Sequence, residues 1–362
     1  MSGVSAQKKL LALGTLCLQN SALILSMRYS RSVLRDSYAE GSIILVMELV
    51  KFIVSCMLVL RDGQTPAHLA RVIRTSLPMA VPSGLYVVQN LLQLKAVANL
   101  DASTFSVLSQ LKVLTTAVAS AIFLRTRITP RKWGALALLC LGCILVTYKP
   151  SGDKASLSLA QQAEAEAAWA TLLTGLSCAL AMVTLSGCTG VYIESQLKNE
   201  KATLWERNIQ LSVWGMAFAW GSLLYSHFIN GETALVDNGF FYGWSHMAVV
   251  VVLCQSVGGL VTAVVVKFTD TIIKGFAVGL SVVLTSVLSY FIFATDLTGL
   301  FCMGAAMVMA SIFLFNRPET PAPLLPVVGV TAHGRTFKNG GVDPADVVPL
   351  LPLRGKETPT TV

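Results

Sequence analysis

Long apolar runs separated by short polar segments recur along this chain from about residue 10 to residue 315. A helix needs about 20 mostly apolar residues to cross a bilayer. The pattern therefore predicts an all-α integral membrane protein with ten transmembrane helices. They are expected near 10–27, 41–60, 77–97, 103–124, 132–148, 167–193, 208–229, 244–266, 274–293 and 298–315.

A weak internal repeat relates the two halves of this pattern. When the chain is shifted by 170 residues, the segment from Leu114 lies on the segment from Leu284. The matching positions are Leu114/Leu284, Thr115/Thr285, Ile122/Ile292, Phe123/Phe293, Gly134/Gly304 and Ala135/Ala305. A repeat of five spans, an odd number, must be inverted in the membrane, which is typical of transporters. Chance recurrence of common apolar residues is the alternative interpretation.

Lys and Arg concentrate in the cytosolic loops of membrane proteins, so their positions predict the orientation. With both termini in the cytosol, nineteen of the 27 Lys and Arg fall on cytosolic segments and six on the lumenal side. Both termini are therefore expected to be cytosolic. The parts of the chain are a first five-helix repeat at 1–148, a lumenal connection at 149–166, a second five-helix repeat at 167–315 and a disordered cytosolic tail at 316–362.

Composition supports the membrane class and argues against several others. Charged residues make up 13% of the chain, whereas soluble domains carry about 25%. The net charge of +8 is dispersed among loops, and no basic patch with interleaved aromatics predicts nucleic-acid binding. The eight cysteines lie in or beside apolar runs and are expected to pack as small core residues. Cys140 and Cys143 lack the further ligands of a zinc site, so no metal or cofactor is expected.

Enzyme motifs are missing from the chain. It has no D-x-D for a metal-bound sugar nucleotide, no H-E-x-x-H, no G-x-S-x-G and no G-x-x-x-x-G-K-[ST]. These motifs carry metal, nucleophile and phosphate chemistry. An enzyme and an ATP-driven pump are therefore both disfavoured.

Lysines inside the apolar runs are the first candidate binding groups. A charge near a helix centre costs about 2.5–3.5 kcal/mol on insertion scales and usually faces a partner or a polar cavity. Lys112 lies about 19 Å along its helix from the basic loop at Arg125, which disfavours escape of its side chain to the surface. Lys274 begins the ninth helix at a corner that also holds Lys267 and Asp270. Lysines on two different spans predict a path for an anion.

Other polar groups in the apolar runs admit two interpretations each. Glu48 and Lys51 stand three residues apart in the second helix, so they share a face and can pair. The pair is structural or lines a site, and neither interpretation is favoured. Tyr86, Gln89 and Asn90 form a polar stripe on the third helix, and such groups join helices as readily as they bind a ligand.

Five segments give the chain a resemblance to a known family. They are QNSALILSMRYSR (19–31), VQNLLQLKAVANLDASTFSVLSQLKVLTTA (88–117), SGCTGVYIE (186–194), WERNIQL (205–211) and GGLVTAVVVKFTDTIIKGFA (258–277). In this order they resemble the nucleotide-sugar transporters, in the branch that carries CMP-sialic acid, UDP-galactose and UDP-N-acetylglucosamine across Golgi membranes. The resemblance implies the ten-helix drug/metabolite transporter fold and the exchange of a cytosolic nucleotide sugar for a lumenal nucleoside monophosphate.

The resemblance also implies roles for individual residues. Lys112 matches the lysine of the family's Y-Q-L-K, and Lys274 the second lysine of its K-[YF]-x-D-N-x-x-K. Both are implied to bind phosphate. Ser186 and Asn208 match the serine of S-G-x-x-G-V-Y and the asparagine of R-N-x-Q, which line the nucleotide site. The polar positions of Y-x-x-Q-N-N are matched by Tyr86 and Asn90.

The chain departs from the family along this expected ligand path. The family's residues there are two tyrosines and two asparagines, and the departures are Phe105, Ser109, Leu91 and Thr271. Phe105 can still stack on a base but lacks a hydroxyl. The substrate therefore stays open between UDP-galactose or a related UDP-sugar and CMP-sialic acid.

The resemblance implies a multi-pass Golgi membrane antiporter whose partners are a nucleotide sugar, a nucleoside monophosphate and the lipid bilayer. A non-transporting membrane scaffold of glycosylation is the alternative from another class. Homodimers and complexes with glycosyltransferases stay open as further partners.

Overall fold

The computed structural model describes residues 6–123, 125, 128–148, 159–197, 202–229, 237–268 and 271–317. Within these ranges the backbone alone is described at 6–13, 159–165, 193–197, 262–268 and 271–278. All of them belong to one structural unit, Met1–Arg317. No strand occurs in the described ranges, so this part of the fold is helical, as predicted.

The helices follow one another with short connections over most of the described chain. In order they are α1 (Ala6–Ser32), α2 (Glu40–Arg61), α3 (Pro66–Arg74), α4 (Ala80–Asn99), α5 (Ala102–Leu108), α6 (Lys112–Phe123), α7 (Pro130–Thr147), α8 (Leu159–Leu197), α9 (Leu204–Phe228), α10 (His246–Phe268), α11 (Thr271–Phe293) and α12 (Gly299–Asn316). Two 3-10 turns, Leu77–Met79 and Ser109–Leu111, precede α4 and α6.

Several of these helices are long and apolar enough to cross a membrane. In the described part of the chain they are Glu40–Arg61, Ala102–Phe123, Pro130–Thr147, Glu166–Tyr192 and Gly299–Asn316. Two shorter apolar segments are His246–Val261 and Gly279–Phe293. The helices support the prediction of a multi-pass membrane protein.

Each of the ten predicted helices overlaps an observed helix, but two differ in continuity or length. The fourth, predicted as one helix at 103–124, is broken by the 3-10 turn Ser109–Leu111 into α5 and α6. The sixth begins at Leu159, because the lead-in QQAEAEAAWA is rich in strong helix formers and extends the helix towards its N-terminus. Neither difference alters the order of the helices.

The short helix α3 has no counterpart in the prediction. Thr65 caps its start by accepting a hydrogen bond from the His68 N–H, and Pro66 occupies its first position. The His68 ring contacts the Glu206 carboxylate at the start of α9. Burial opposes ionisation of Glu206, but hydrogen bonds from the Thr203 N–H and from His68 outweigh it and lower the pKa of the carboxyl. This helix therefore joins the connection after α2 to the beginning of α9.

Helices α2 and α9 pack antiparallel along their length. At the start of α2, a Cβ on Gly41 would lie 2.7 Å from the Ser222 hydroxyl near the end of α9. Further along, a Cβ on Gly215 would lie 2.9 Å from the carboxyl carbon of Glu48. Small residues at such contacts let membrane helices approach closely, so glycine sets the separation of α2 and α9.

Helices α7 and α12 also pack antiparallel. A Cβ on Gly142 would lie 2.7 Å from the Gly304 carbonyl oxygen, and a Cβ on Gly304 would lie 2.6 Å from the Gly142 carbonyl oxygen. At the other end of the pair, the Arg131 guanidinium at the start of α7 donates to the Arg317 carbonyl just after α12. The two backbones are therefore in direct contact where both helices carry glycine.

Some helix contacts between the two halves of the chain come in related pairs. The comparison pairs the helices of the two halves in chain order. In this pairing α1 corresponds to α8, α2 to α9, α4 to α10, α6 to α11 and α7 to α12. Under this pairing the α4–α8 contact corresponds to α10–α1, the α1–α11 contact to α8–α6, and the α4–α9 contact to α10–α2. All of these pairs are in contact in the structure.

A network of side chains ties the α1–α2 connection to the segment before α10. The Arg31 guanidinium lies 4.0 Å from the centroid of the Tyr38 ring and donates to the Glu40 carboxylate at 3.0 Å. Tyr38 in turn packs edge-on against Trp244. Gly243 has φ +73° and sits so close to this connection that a Cβ would meet backbone at 2.6 Å. This end of α1, α2 and α10 is therefore held together.

Candidate functional site

Lys112 stands at the break in the helix that carries it. α5 ends at Leu108, a 3-10 turn follows, and Lys112 is the first residue of α6. The Lys112 side chain is exposed, whereas the neighbouring Gln110 and Leu111 are buried. A 3-10 stretch inside a helix often marks a functional hinge, and transporter sites are typically formed by interrupted helices. The break thus coincides with the cation that the sequence singles out.

The helix α6 is held closely against α8 one turn after Lys112. The Thr115 hydroxyl donates to the Val183 carbonyl at 2.7 Å. A Cβ on Gly187 would lie 2.6 Å from the carbonyl carbon of Thr115. Ser186 precedes that glycine and is half-buried. Lys112 and Ser186 therefore lie on helices in direct contact, each about one turn from that contact or closer.

Glu48 and Lys51 form the predicted ion pair. Their side-chain oxygen and nitrogen, Oε1 and Nζ, are 2.6 Å apart, and Glu48 is 3% exposed. The second carboxylate oxygen of Glu48 has no hydrogen-bond partner among the described residues. Lys51 reaches α10, where a Cβ on Gly259 would lie 3.7 Å from its Cδ. The pair thus lies where α2 meets both α9 and α10.

One residue of the polar stripe of α4, Asn90, approaches α10. The Gln255 amide nitrogen lies 3.5 Å from the Asn90 carbonyl oxygen, at the long limit of a hydrogen bond. Tyr86 and Asn90 are both half-buried. The Gln89 carbonyl oxygen is buried without a hydrogen-bond partner in the described part of the chain. The Gln89 carbonyl oxygen therefore keeps unused hydrogen-bonding capacity.

Three consecutive polar residues of α1 were not singled out from the residue pattern. Gln19 donates to the Cys254 carbonyl at 3.1 Å, Asn20 to the Ser281 hydroxyl at 2.8 Å, and Ser21 to the Ser281 carbonyl at 3.1 Å. They join α1 to α10 and α11. Three adjacent polar residues inside an apolar run are unusual, and this pattern could have indicated that they contact other helices.

Phe105, predicted to stack on a base, is 2% exposed and packs in the buried core. Its contact with a ligand stays a prediction. Asn208 lies in the second turn of α9, and its amide nitrogen is buried without a hydrogen-bond partner among the described residues. A ligand could accept a hydrogen bond from this donor, and the predicted contact of Asn208 with the nucleotide stays a prediction.

Lys274 is the fourth residue of α11, and its side chain lies outside the described part of the structure. The side chains of Lys267 and Thr271 lie outside it too, as does all of Asp270. That Lys112 and Lys274 bind the same phosphate groups therefore stays a prediction.

The candidate binding residues are a cation at a helix break, amides and hydroxyls on other helices, and a neutralised ion pair on α2. The described residues hold no group of three or more His, Cys, Asp or Glu placed to bind a metal. Such a set of side chains suits binding of an anionic, hydroxyl-rich solute. A helical membrane bundle with this site belongs to the class of solute transporters.

Comparison with known proteins identifies the family. The sequence profile described as "Nucleotide-sugar transporter" matches residues 4–316. The chain is 36% identical to the UDP-N-acetylglucosamine transporter of Bos taurus over 88% of this chain and 98% of that protein. It is 34% identical to the UDP-galactose translocator of Homo sapiens over 92% of this chain and 83% of that protein. The chain belongs to the nucleotide-sugar transporter family, and it is a transporter rather than an enzyme.

One solved crystal structure shares the fold at low sequence identity. It superposes with a TM-score of 0.54, at 14% identity, over 85% of this chain and 97% of its own. This likeness concerns the fold alone. It extends over most of the helical unit.

Proposed function

We propose that this protein is a Golgi antiporter that imports UDP-galactose or a related UDP-sugar and returns a nucleoside monophosphate to the cytosol by alternating access. The observation that carries the proposal is the placement of Lys112. An exposed cation at an interruption within a membrane-length helix suits a ligand with phosphate groups. Membership of the nucleotide-sugar transporter family supplies the substrate class.

The proposed architecture is ten spans in two inverted five-helix repeats. The exchange symmetry of the helix contacts supports a duplication. The antiparallel packing of α2 on α9 and of α7 on α12 supports inversion, since each helix runs opposite to its equivalent in the other half. Alternation of ten spans alone would produce the antiparallel directions, but it would not produce the paired contacts. The symmetry of those contacts is therefore the stronger support.

In the proposed mechanism, Lys112 and Lys274 neutralise the phosphate oxygens. Lysine suits this role as a compact point charge with three donors. Both the nucleotide sugar and the monophosphate carry phosphate, so either ligand satisfies the same lysines. In an empty site the two cations lack the phosphate that would neutralise them, which disfavours reorientation. This asymmetry favours exchange over uniport.

The base is assigned to the α8–α9 side of the site. Ser186 lies beside the contact of α8 with α6, and Asn208 keeps a buried amide donor without a partner among the described residues. A hydroxyl and an amide provide the donor and acceptor that a pyrimidine edge requires. UDP-sugars are favoured because the similar proteins are described as UDP-N-acetylglucosamine and UDP-galactose carriers. CMP-sialic acid is the second candidate substrate.

Exchange in liposomes tests the proposal. The purified chain is reconstituted into vesicles preloaded with UMP or CMP, and uptake of labelled UDP-galactose, UDP-N-acetylglucosamine and CMP-sialic acid is measured. We expect uptake of a UDP-sugar that depends on internal UMP. Equal uptake into empty vesicles would contradict antiport, and no uptake of any substrate by folded protein would favour a non-transporting scaffold.

A further inference from the structure

Basic residues converge at the corner of the bundle where α6 ends, α7 begins and α12 ends. Arg131, the second residue of α7, donates a hydrogen bond to the carbonyl of Arg317, which directly follows α12. The next residue, Lys132, places its Nζ 5.9 Å from the centroid of the Phe315 ring on α12. Contacts between α7 and α12 therefore hold three cationic residues close together.

A fourth basic residue, Arg125, lies in the connection from α6 to α7. It is exposed, and its φ of +53° lies in the left-handed region. It stands five residues before Pro130, the first residue of α7, so the backbone keeps it within about 18 Å of that helix. The sequences of α6, α7 and α12 contain no Asp or Glu. These three helices therefore contribute only positive charge to the corner.

Large aromatic side chains are exposed at the same level. Phe123, the last residue of α6, is 67% exposed, Trp133 in the first turn of α7 is 51% exposed, and Phe313 near the end of α12 is 56% exposed. Aromatic residues are enriched where the hydrocarbon of a membrane meets its headgroups. Arg317 follows Phe313 by four residues, about 6 Å along the helix axis, and Lys132 is next to Trp133. The basic residues of the corner therefore lie at headgroup depth.

We infer that this corner binds the headgroup of an anionic phospholipid. Arg131, Lys132 and Arg317 contact its phosphate groups, with Arg125 within reach, while the exposed aromatic side chains lie along its acyl chains. Clusters of Lys and Arg next to a membrane helix attract anionic lipids, and Arg and Lys form strong, charge-assisted hydrogen bonds with phosphate oxygens. Charge complementarity and depth together favour a lipid over a soluble ligand.

The lipid site lies apart from the proposed transport site. Lys112 begins α6, and Phe123 at the corner ends it. These residues are eleven positions apart, about 17 Å along the helix. The inference therefore goes beyond the proposed function and does not depend on which solute the protein carries.

Helix α3 provides a matched control. It lies between α2 and α4 in the chain, on the same side of the bundle as the α6–α7 connection, because α4 crosses the membrane and the α5–α6 segment returns. Arg71 and Arg74 of α3 are exposed. Carboxylates accompany them, since Asp62 precedes the helix and Glu206 contacts His68. This surface therefore has exposed arginines without the corner's excess of positive charge.

Titration of the purified full chain, in neutral detergent, with a short-chain phosphatidylinositol phosphate tests the inference. A ligand that binds the native state raises the melting temperature. We expect this lipid to stabilise the parent protein, and short-chain phosphatidylcholine at the same concentration to leave it unchanged. Arg125→Gln combined with Lys132→Gln should weaken the affinity by about five- to thirtyfold, because one basic residue near an anionic surface contributes about fivefold. Arg131 is retained in this variant because it joins α7 to α12.

The control variant combines Arg71→Gln with Arg74→Gln. It removes the same charge from α3 and should change the affinity by less than about twofold. Each single variant of the corner, Arg125→Gln or Lys132→Gln, should weaken the affinity by up to about fivefold, which keeps the test decisive if the double variant does not fold.

Three results would overturn the lipid assignment. Equal weakening in the corner and control variants would show that only total charge matters. Equal stabilisation of the parent by an inositol phosphate without acyl chains would indicate a soluble phosphate ligand instead. If the anionic lipid did not stabilise the parent protein, the corner would not be a lipid site.

Discussion

Glu48 and Lys51 each lie against a glycine of another helix, Gly215 on α9 and Gly259 on α10. A charge pair needs room and mutual neutralisation in a membrane, and glycine provides the room where a larger residue would exclude the side chains. Lys112 is accommodated differently, by a 3-10 turn that interrupts its helix. The charged side chains are therefore accommodated by glycines on neighbouring helices and, for Lys112, by an interruption of its helix.

The two-lysine hypothesis makes a prediction about which ligands are lost. Changing Lys112 or Lys274 to Gln keeps length and polarity but removes the charge. A charge-assisted hydrogen bond contributes about 1.5–3 kcal/mol, so binding of UMP and of its sugar conjugates should weaken by roughly ten- to a hundredfold. Thermal-shift binding measures this loss.

The same experiment carries its own controls. Free uridine lacks phosphate and should compete equally well against parent and variant, if it competes at all. Lys95→Gln alters an exposed lysine near the end of α4 and should leave every affinity unchanged. Normal nucleotide affinity in both Lys112→Gln and Lys274→Gln would contradict the prediction that these lysines bind phosphate.

The ion pair makes a prediction about folded yield. Glu48→Gln or Lys51→Met alone leaves an uncompensated charge, which costs about 3–5 kcal/mol where the pair is buried. The double variant should recover folded yield relative to either single variant. If the pair also lines the site, uptake should stay low in the double variant. Normal yield in both single variants would contradict a structural role.

At the scale of the elements, the sequence predicted which segments are helical but not where they break. Apolar runs define a span by transfer into lipid, and that signal is the same for a straight and an interrupted helix. The break at Ser109–Leu111 depends on local hydrogen bonds, such as that from the Ser109 hydroxyl to the Ser106 carbonyl. The short helix α3 was missed because it is too polar and too short to be recognised as a membrane span. Thr65 and Pro66 nevertheless form a capping pattern typical of a helix N-terminus.

Partners between helices were the other part that the sequence could not predict. Lys112, Glu48 and Lys51 stood out because a charge in an apolar run is costly wherever the run packs. Gln255 could be recognised as a candidate polar contact between helices only from the structure, which places it opposite Asn90. Amides are frequent in membrane helices as packing groups, so position rather than residue type identifies this one.

The contact of α7 with α12 gives an element-scale prediction. Gly142→Ala forces a Cβ to within 2.7 Å of the Gly304 carbonyl oxygen, so the helices must separate. Overpacking of this kind costs about 1–3 kcal/mol, and the melting temperature should fall. Gly134→Ala on the same helix has nothing within 4 Å and should not lower it. Equal melting of the two variants would show that the glycine contact contributes nothing to stability.

At the scale of the whole molecule, the proposed two-fold repeat and the distribution of charge describe different properties. The related helix contacts between the two halves support the packing that the proposed repeat requires. The positions of Lys and Arg predict which side of the bundle meets the cytosol, a property that the repeat alone does not determine. An alternating-access carrier needs both properties, since the halves must rock about a central site while the protein keeps one orientation.

The orientation gives the last prediction. Nineteen of the 27 Lys and Arg fall on the side that would carry both termini, and cytosolic loops retain basic residues during insertion. An epitope tag placed after Val362, and a second one before Met1, should be stained by antibody in cells whose plasma membrane alone is permeabilised. A lumenal Golgi marker should stay unstained until the internal membranes are opened with detergent. Protection of one tag but not of the other would require an odd number of spans and would rule out two five-helix repeats. Protection of both tags would contradict the expected orientation.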